Sequence, residues 1–344
     1  MTESTESMRV SVLRAVEDVV VERRPVPEPG PHEVLVRVSA VGTCGSDTHY
    51  YERGRVGEFV VREPLVLGHE ASGTIVARGS EVTGREPGTR VSLEPGVPCL
   101  ACHECRSGRY NLCPEVRFFA TPPVDGAFSE YVTLHEQFVY PVPDELSDEA
   151  AALIEPLSVA VWACRKARIS PGARVLVTGA GPVGLLAAQT ARAFGAAEIV
   201  VTDVVDHRLR TAEELTGCTA VNVRHSSLAE FGYEPDVLLE CSGNPTAAAE
   251  AVRTVGRAGR VVFVGMGGDE LPLPLSHVQT REIEVTGTFR YANTWPTAIA
   301  LAASGSVELD RLVTHRFGLD GVPEALTASA RDETVVKAVV HPQE

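Results

Sequence analysis

Residues 174–189 read RVLVTGAGPVGLLAAQ, and this stretch decides the fold of the chain around it. The apolar run RVLVT breaks into Gly179-Ala180-Gly181-Pro182-Val183-Gly184 and then into a second apolar run of good helix formers. In such a strand–turn–helix the first glycine permits the tight turn. The second lets backbone approach a pyrophosphate, and the third lets helix and strand pack closely. The helix start then offers free N–H groups and the positive end of its dipole to the phosphates. EIVVTD (198–203) supplies the next strand, and Asp203 ends it where a carboxylate accepts from a ribose 2′-hydroxyl. A 2′-phosphate meets like charge there, which favours NAD over NADP, while the nearby Arg208 pulls the other way. The alternative use of Asp203 is as a helix N-cap.

Downstream, strand candidates recur at 219–223, 236–240 (DVLLE), 260–265 (RVVFVG) and 283–287 (IEVTG), with helical stretches through LLAAQTARAF and RLRTAEELT. Six strands separated by helices predict a doubly wound parallel sheet. After about residue 290 the pattern loosens and ends in the strand-like TVVKAVV (334–340). Upstream, residues 8–150 carry short β-like runs (EVLVRVSAVG, SGTIVARG, TRVSLEPG) separated by PEPGPHE, REPGT and TPPVDGA, which predicts a compact, mostly β domain. A chain of 344 residues exceeds one hydrophobic core, so two domains are expected. The net charge of −15 disfavours nucleic acid and anionic membrane as partners. With no long apolar run and no secretion-type leader, the expected location is the cytoplasm. Residues 1–7 (MTESTES) read as a disordered polar lead-in.

Four of the eight cysteines, Cys99, Cys102, Cys105 and Cys113, fall in CLACHECRSGRYNLC with the spacing C-x2-C-x2-C-x7-C, which suits one tetrahedral zinc. Zinc held this way shapes a loop and names no reaction. Cys164, Cys218 and Cys241 read as buried apolar residues. Cys44 in VGTCGSDTHYY and His69-Glu70 in PLVLGHEASG form a second candidate metal set, with thiolate, imidazole and carboxylate donors. A core histidine is the plainer reading of His69 alone. Glu155 lies in the apolar ALIEPLSVAVWA, where an unpaired carboxylate is costly; the alternative to a metal role is helix N-capping ahead of Pro156.

The segments CGSDTHYYERGRVGEFVVREPLVLGHEASG, FFATPPVDG, ALIEPLSV, FRYANTWP (289–296) and LVTHRF (312–317), with the quartet and the glycine turn, cover nearly the whole chain. Together they resemble the zinc-containing medium-chain dehydrogenases, in the sorbitol (L-iditol 2-) dehydrogenase branch. The resemblance implies an α/β architecture: a GroES-like catalytic domain at 8–155 and 291–344 and an inserted Rossmann domain at 156–290. It implies one catalytic and one structural zinc per subunit, NAD, a homotetramer (a dimer being the alternative) and reversible oxidation of a polyol secondary alcohol to a ketose. Cys44 and His69 then bind the catalytic zinc, Glu70 completes the shell, and Glu155 binds the metal or holds its water. Ser46 leads the proton route, a zinc-bound water with Glu155 and the weaker candidate His49 being the others; Ser46 is otherwise a turn residue. Arg290 and Tyr291 contact distal hydroxyls, and Tyr50, Phe59, Phe118 and Thr121 shape the pocket, core packing being the alternative for both phenylalanines. Gly265 and Arg290 join the glycine turn, Asp203 and Arg208 in holding the cofactor. L-Threonine, aminocyclitol and polyol phosphate dehydrogenases are the competing enzyme readings, and a non-catalytic NAD- or zinc-binding protein is the competing class.

Overall fold

The computed structural model describes residues 7–268 and 270–344. Residues 1–6 of the expected lead-in lie outside the described residues. Ser7 is already in a strand, Ser7–Ala15, opposite Pro25.

The chain divides into two compact units, one running up to Glu155 and resuming at Leu309–Glu344, the other Pro156–Glu308. In the first unit the organising strand is Glu33–Gly42. It pairs antiparallel with Glu70–Arg78, Tyr131–His135 and Lys337–His341, and the last of these pairs in parallel with Val313–Gly318. Its alternation places Val34, Val36 and Val38 in the core while Arg37 faces solvent, as a half-covered sheet requires. The short helix Asp148–Ala152 covers part of the same sheet, and Ser147 caps it by accepting from Ala150 N.

The second unit contains a six-stranded, wholly parallel sheet. Its order is Thr219–Asn222, Glu198–Asp203, Arg174–Thr178, Val237–Glu240, Arg260–Phe263, Glu284–Gly287. All six expected strands are present, and the order reverses beside Arg174–Thr178, the place where such sheets bind nucleotides. Val175, Leu176 and Val177 are fully buried, because helices cover both faces of a parallel sheet. The helix Pro182–Ala193 opens with Pro at its first position, where a missing N–H costs nothing. Gly184 is obligatory: a Cβ there would lie 1.8 Å from Gly179 O.

The return to the first unit, expected at 291, comes at 309 instead. Residues 291–308 are tied to the second unit by side chains. Trp295, fully buried, heads the helix Trp295–Ala303 and meets the Tyr291 ring edge-on at 5.0 Å. Arg165 donates to Asn293 O and Thr297 Oγ1 at 2.7 Å each, and Glu308 N donates to Gln189 Oε1 at 2.8 Å. Among the described residues no helix is long and apolar enough to cross a membrane.

Candidate active site

Cys44 is the N-cap of the helix Gly45–Arg53, and the residue three positions into that helix, Asp47, locks the turn: Cys44 N donates to Asp47 Oδ2 at 3.1 Å. The other oxygen of this fully buried carboxylate accepts from Gly68 N at 3.0 Å and stands 3.4 Å from His69 Nδ1. One side chain thus fixes the cysteine loop, the Gly68 turn and the imidazole orientation. With Asp47 against Nδ1, Nε2 is the nitrogen left for a metal. Burial alone would lower the His69 pKa. The charges of Asp47 and Cys44, and hydrogen bonds with both, outweigh it and hold the imidazole well above its ordinary value.

Glu70 begins the strand Glu70–Arg78 and lies opposite Gly42. Lys337 Nζ donates to Glu70 Oε1 at 2.7 Å and to Thr43 O at 2.7 Å, and stands 2.5 Å from Glu70 Oε2. That second oxygen is buried, and its contact with the ammonium is an ion pair without hydrogen-bond geometry. The ligand atoms of Cys44, His69 and Glu70 all lie within 4.8 Å of one another. A soft thiolate, an imidazole and a buried carboxylate are donors that fit zinc.

Glu155, in the first turn of the helix Ile154–Ala167, is buried but outside that set of three. Its charge is felt by Lys337 and by Glu94. Burial pushes the Glu94 carboxyl up to about 7 against hydrogen bonds from Tyr110 and Tyr140, with Glu155 adding to the rise. Phe118 lines the metal set, its ring centroid 5.8 Å from that of His69. Tyr50, expected in the pocket, belongs to the apolar core of the first unit, because its place on the Gly45–Arg53 helix faces inward. Phe59 packs against the same core from a two-residue strand, Phe59–Val60. Ser46 and His49 are half-buried on the helix that Cys44 caps, and Thr121 N donates to Phe118 O at 3.1 Å. Arg290 and Tyr291 belong to the second unit, Arg290 lying over the Phe289 ring and Tyr291 against Trp295.

The four sulfurs of the quartet also gather within 4.8 Å. Cys102–Cys105 and Cys99–Cys113 are separated by 3.5 Å, and Cys99–Cys105 by 4.0 Å. Four thiolates about 2.3 Å from one zinc have edges of about 3.8 Å, so this set fits the metal as well. Backbone N–H groups of Ala101 and Cys102 pull the Cys99 thiol down to about 7, whereas desolvation and neighbouring thiols push Cys105 up to about 12. Tyr110, inside the quartet loop, donates to Glu94 Oε1 at 2.7 Å, and Tyr140 donates to Oε2 at 3.0 Å.

In the second unit Asp203 Oδ2 accepts from Ala180 N at 2.6 Å, tying strand end to glycine turn, and Oδ1 accepts from Val204 N and Val205 N. The N-cap of the next helix is Val205, so capping is not the role of Asp203. A Cβ on Gly181 would meet nothing within 4 Å, which leaves the space before the helix open to a phosphate. Gly265 admits no side chain, since a Cβ would lie 2.4 Å from Gly243 N. Arg208 Nε is buried without a hydrogen-bond partner. Asp47 and Lys337 are absent from the sequence reading. Their signals were a carboxylate three residues after the capping Cys44 and a lysine inside the apolar TVVKAVV.

Residues 30–144 match the family described as alcohol dehydrogenase GroES-like domain, and residues 182–304 match zinc-binding dehydrogenase. Sorbitol dehydrogenase of Gallus gallus is 43% identical over 97% of this chain and 96% of its own, and that of Bacillus subtilis (strain 168) 42% identical over 98% of each. A putative zinc-binding dehydrogenase from Sinorhizobium meliloti 1021, solved bound to NADP, superimposes with a TM-score of 0.92 at 30% identity, over 98% of this chain and 100% of that one. The chain belongs to the zinc-containing medium-chain dehydrogenases. Within that family it falls in the sorbitol dehydrogenase branch.

Proposed function

We propose that this chain is a zinc- and NAD-dependent dehydrogenase that oxidises a secondary alcohol of a polyol to the ketone, reversibly, and that Cys44, His69 and Glu70 hold its catalytic metal. The observation that carries the reading is the gathering of those three donors in a chain that also carries a nucleotide-binding turn. When bound, zinc lowers the pKa of a hydroxyl and NAD accepts the hydride.

The chain's own residues do the rest. Asp47 keeps His69 in the tautomer that presents Nε2, and Phe118 closes one wall against water. Ser46 takes the hydroxyl proton outward, the water held by Glu155 and His49 being the alternative routes. Glu155 holds a water near the metal set without joining it. Arg290 hydrogen-bonds hydroxyls away from the reacting carbon, and Tyr291, buried against Trp295, holds the turn that presents it. Asp203 orients the ribose and Arg208 flanks it, with Gly179, Gly181, Pro182, Val183, Gly184 and Gly265 leaving room for the phosphates. The quartet holds a structural zinc. The working assembly is a homotetramer in the cytoplasm.

The deciding experiment is kcat/KM with NAD and with NADP across sorbitol, xylitol, iditol, ribitol and inositol, with L-threonine, an aminocyclitol and a polyol phosphate alongside. Turnover of a free polyol with NAD is expected to lead. No turnover of any polyol overturns the reading.

A further inference from the structure

In the first unit three neighbouring strands bring one carboxylate between two cationic claimants. Glu70–Arg78 and Lys337–His341 flank Glu33–Gly42 on opposite sides, and Gly42 is opposite Glu70. Gly42 has no side chain, and over it the Glu70 and Lys337 side chains meet. A Cβ there would lie 2.1 Å from Glu70 Oε2 and 3.0 Å from Lys337 Cε. Both partners are almost wholly buried, Lys337 at 3% and Glu70 at 1% exposure. The ammonium reaches both Glu70 oxygens and also donates to Thr43 O, one residue before Cys44. The same carboxylate belongs to the cluster that fits a metal. A buried ion pair is seldom the most stable filling for its space, since desolvation offsets most of the attraction. Such a pair beside a candidate ligand set asks for another use.

We infer that Lys337 is a positioning residue that shares Glu70 with the catalytic metal and so keeps Glu70 a weak, exchangeable ligand. An ammonium on one carboxylate draws electron density from the metal bond and restrains the side chain from closing fully on the ion. A coordination position is thereby left for the incoming hydroxyl. The inference rests on the reading of Cys44, His69 and Glu70 as a metal centre.

The test is zinc release from the full-length, zinc-loaded enzyme into a chromogenic chelator, without substrate or NAD. Lys337→Met removes the competing charge while keeping bulk. It is expected to slow release from the catalytic centre at least tenfold, equivalent to about 1.4 kcal/mol. Loss of a merely structural lysine would loosen the site and speed release, so the direction separates the two roles. Adding Glu70→Gln to Lys337→Met is expected to abolish the slowing, because the freed carboxylate is its cause. Release from Lys337→Met at or above the wild-type rate overturns the inference, as does slowing that survives in the double variant. Should Lys337→Met not fold, Lys337→Arg becomes the test. Its planar fork binds a carboxylate by two aligned hydrogen bonds and holds it more firmly than an ammonium, so zinc must leave faster than from wild type, and equal or slower release overturns the inference. Zinc content that stays at the wild-type value in Cys44→Ser would instead refute the metal-centre reading itself.

Discussion

The two candidate metal sites are built in opposite ways. The quartet is local: four ligands within fifteen residues of one loop, on a helix of four residues and a single 3-10 turn, with backbone N–H groups of Cys99, Cys102 and Cys105 pointing at sulfur. Its sulfur cluster has little sheet or core of its own, so the metal is most of what shapes it. The other site is assembled from distant segments. Cys44 caps one helix, Glu70 starts a strand, and Lys337 arrives 267 residues after Glu70 on another. There the sheet makes the geometry and the metal would receive it ready-made. The first site's ion should therefore govern stability, and the second's should govern rate.

The strongest attempt to break that contrast is Cys44→Ser or His69→Ala. Either should remove one zinc per chain and lower kcat/KM by roughly 10³-fold or more, since a Lewis acid supplies several kcal/mol. Thermal stability and NAD binding should change little. Unfolding of these variants would show that the sheet does not preform the site. Cys102→Ser is the converse. It should lower Tm on the order of 10 °C while the protein that remains folded keeps its kcat. Calorimetry with active-site titration checks this, and a stable but inactive variant would reverse the division of labour.

Glu94 sharpens the comparison, because Tyr110 ties the quartet loop to it. Its folded carboxyl titrates near 7 against an unfolded value of 4.5, so the folded state binds the extra proton. Stability from this group is complete below about pH 4.5 and is lost as pH rises through 7, by up to about 3 kcal/mol. Glu94→Gln should flatten that decline, read as Tm between pH 5 and pH 8; an unchanged slope would remove Glu94 from the account. The smallest effect belongs to Asp203→Ala, a control outside both metal sites. NAD affinity should fall about tenfold and NADP affinity less, about the worth of one charge-assisted hydrogen bond. Equal losses by titration would dissociate Asp203 from the ribose.

The same contrast explains what could be read from the chain directly. The quartet and the glycine turn are spacing motifs, complete within one loop, and the six parallel strands announce themselves as apolar runs between helices. Asp47 and Lys337 are pairings instead. Nothing in TVVKAVV says which carboxylate its lysine will meet, because the strand order decides that. Tyr50 was expected in the pocket from the resemblance, and its place on the Gly45–Arg53 helix packs it against the core of the first unit. The second compact unit runs on to Glu308, past the expected 290, for a related reason: the clamps Arg165–Asn293 and Gln189–Glu308 join residues far apart in sequence.

The route of the chain through its two units also sets an order of construction. During synthesis Cys44, His69 and Glu70 emerge early, and the whole nucleotide-binding unit follows before the strand bearing Lys337 is made. Through that interval the Glu70 carboxylate has no ammonium to share. The ammonium becomes available to Glu70 only when the last strand of the sheet pairs beside Gly42.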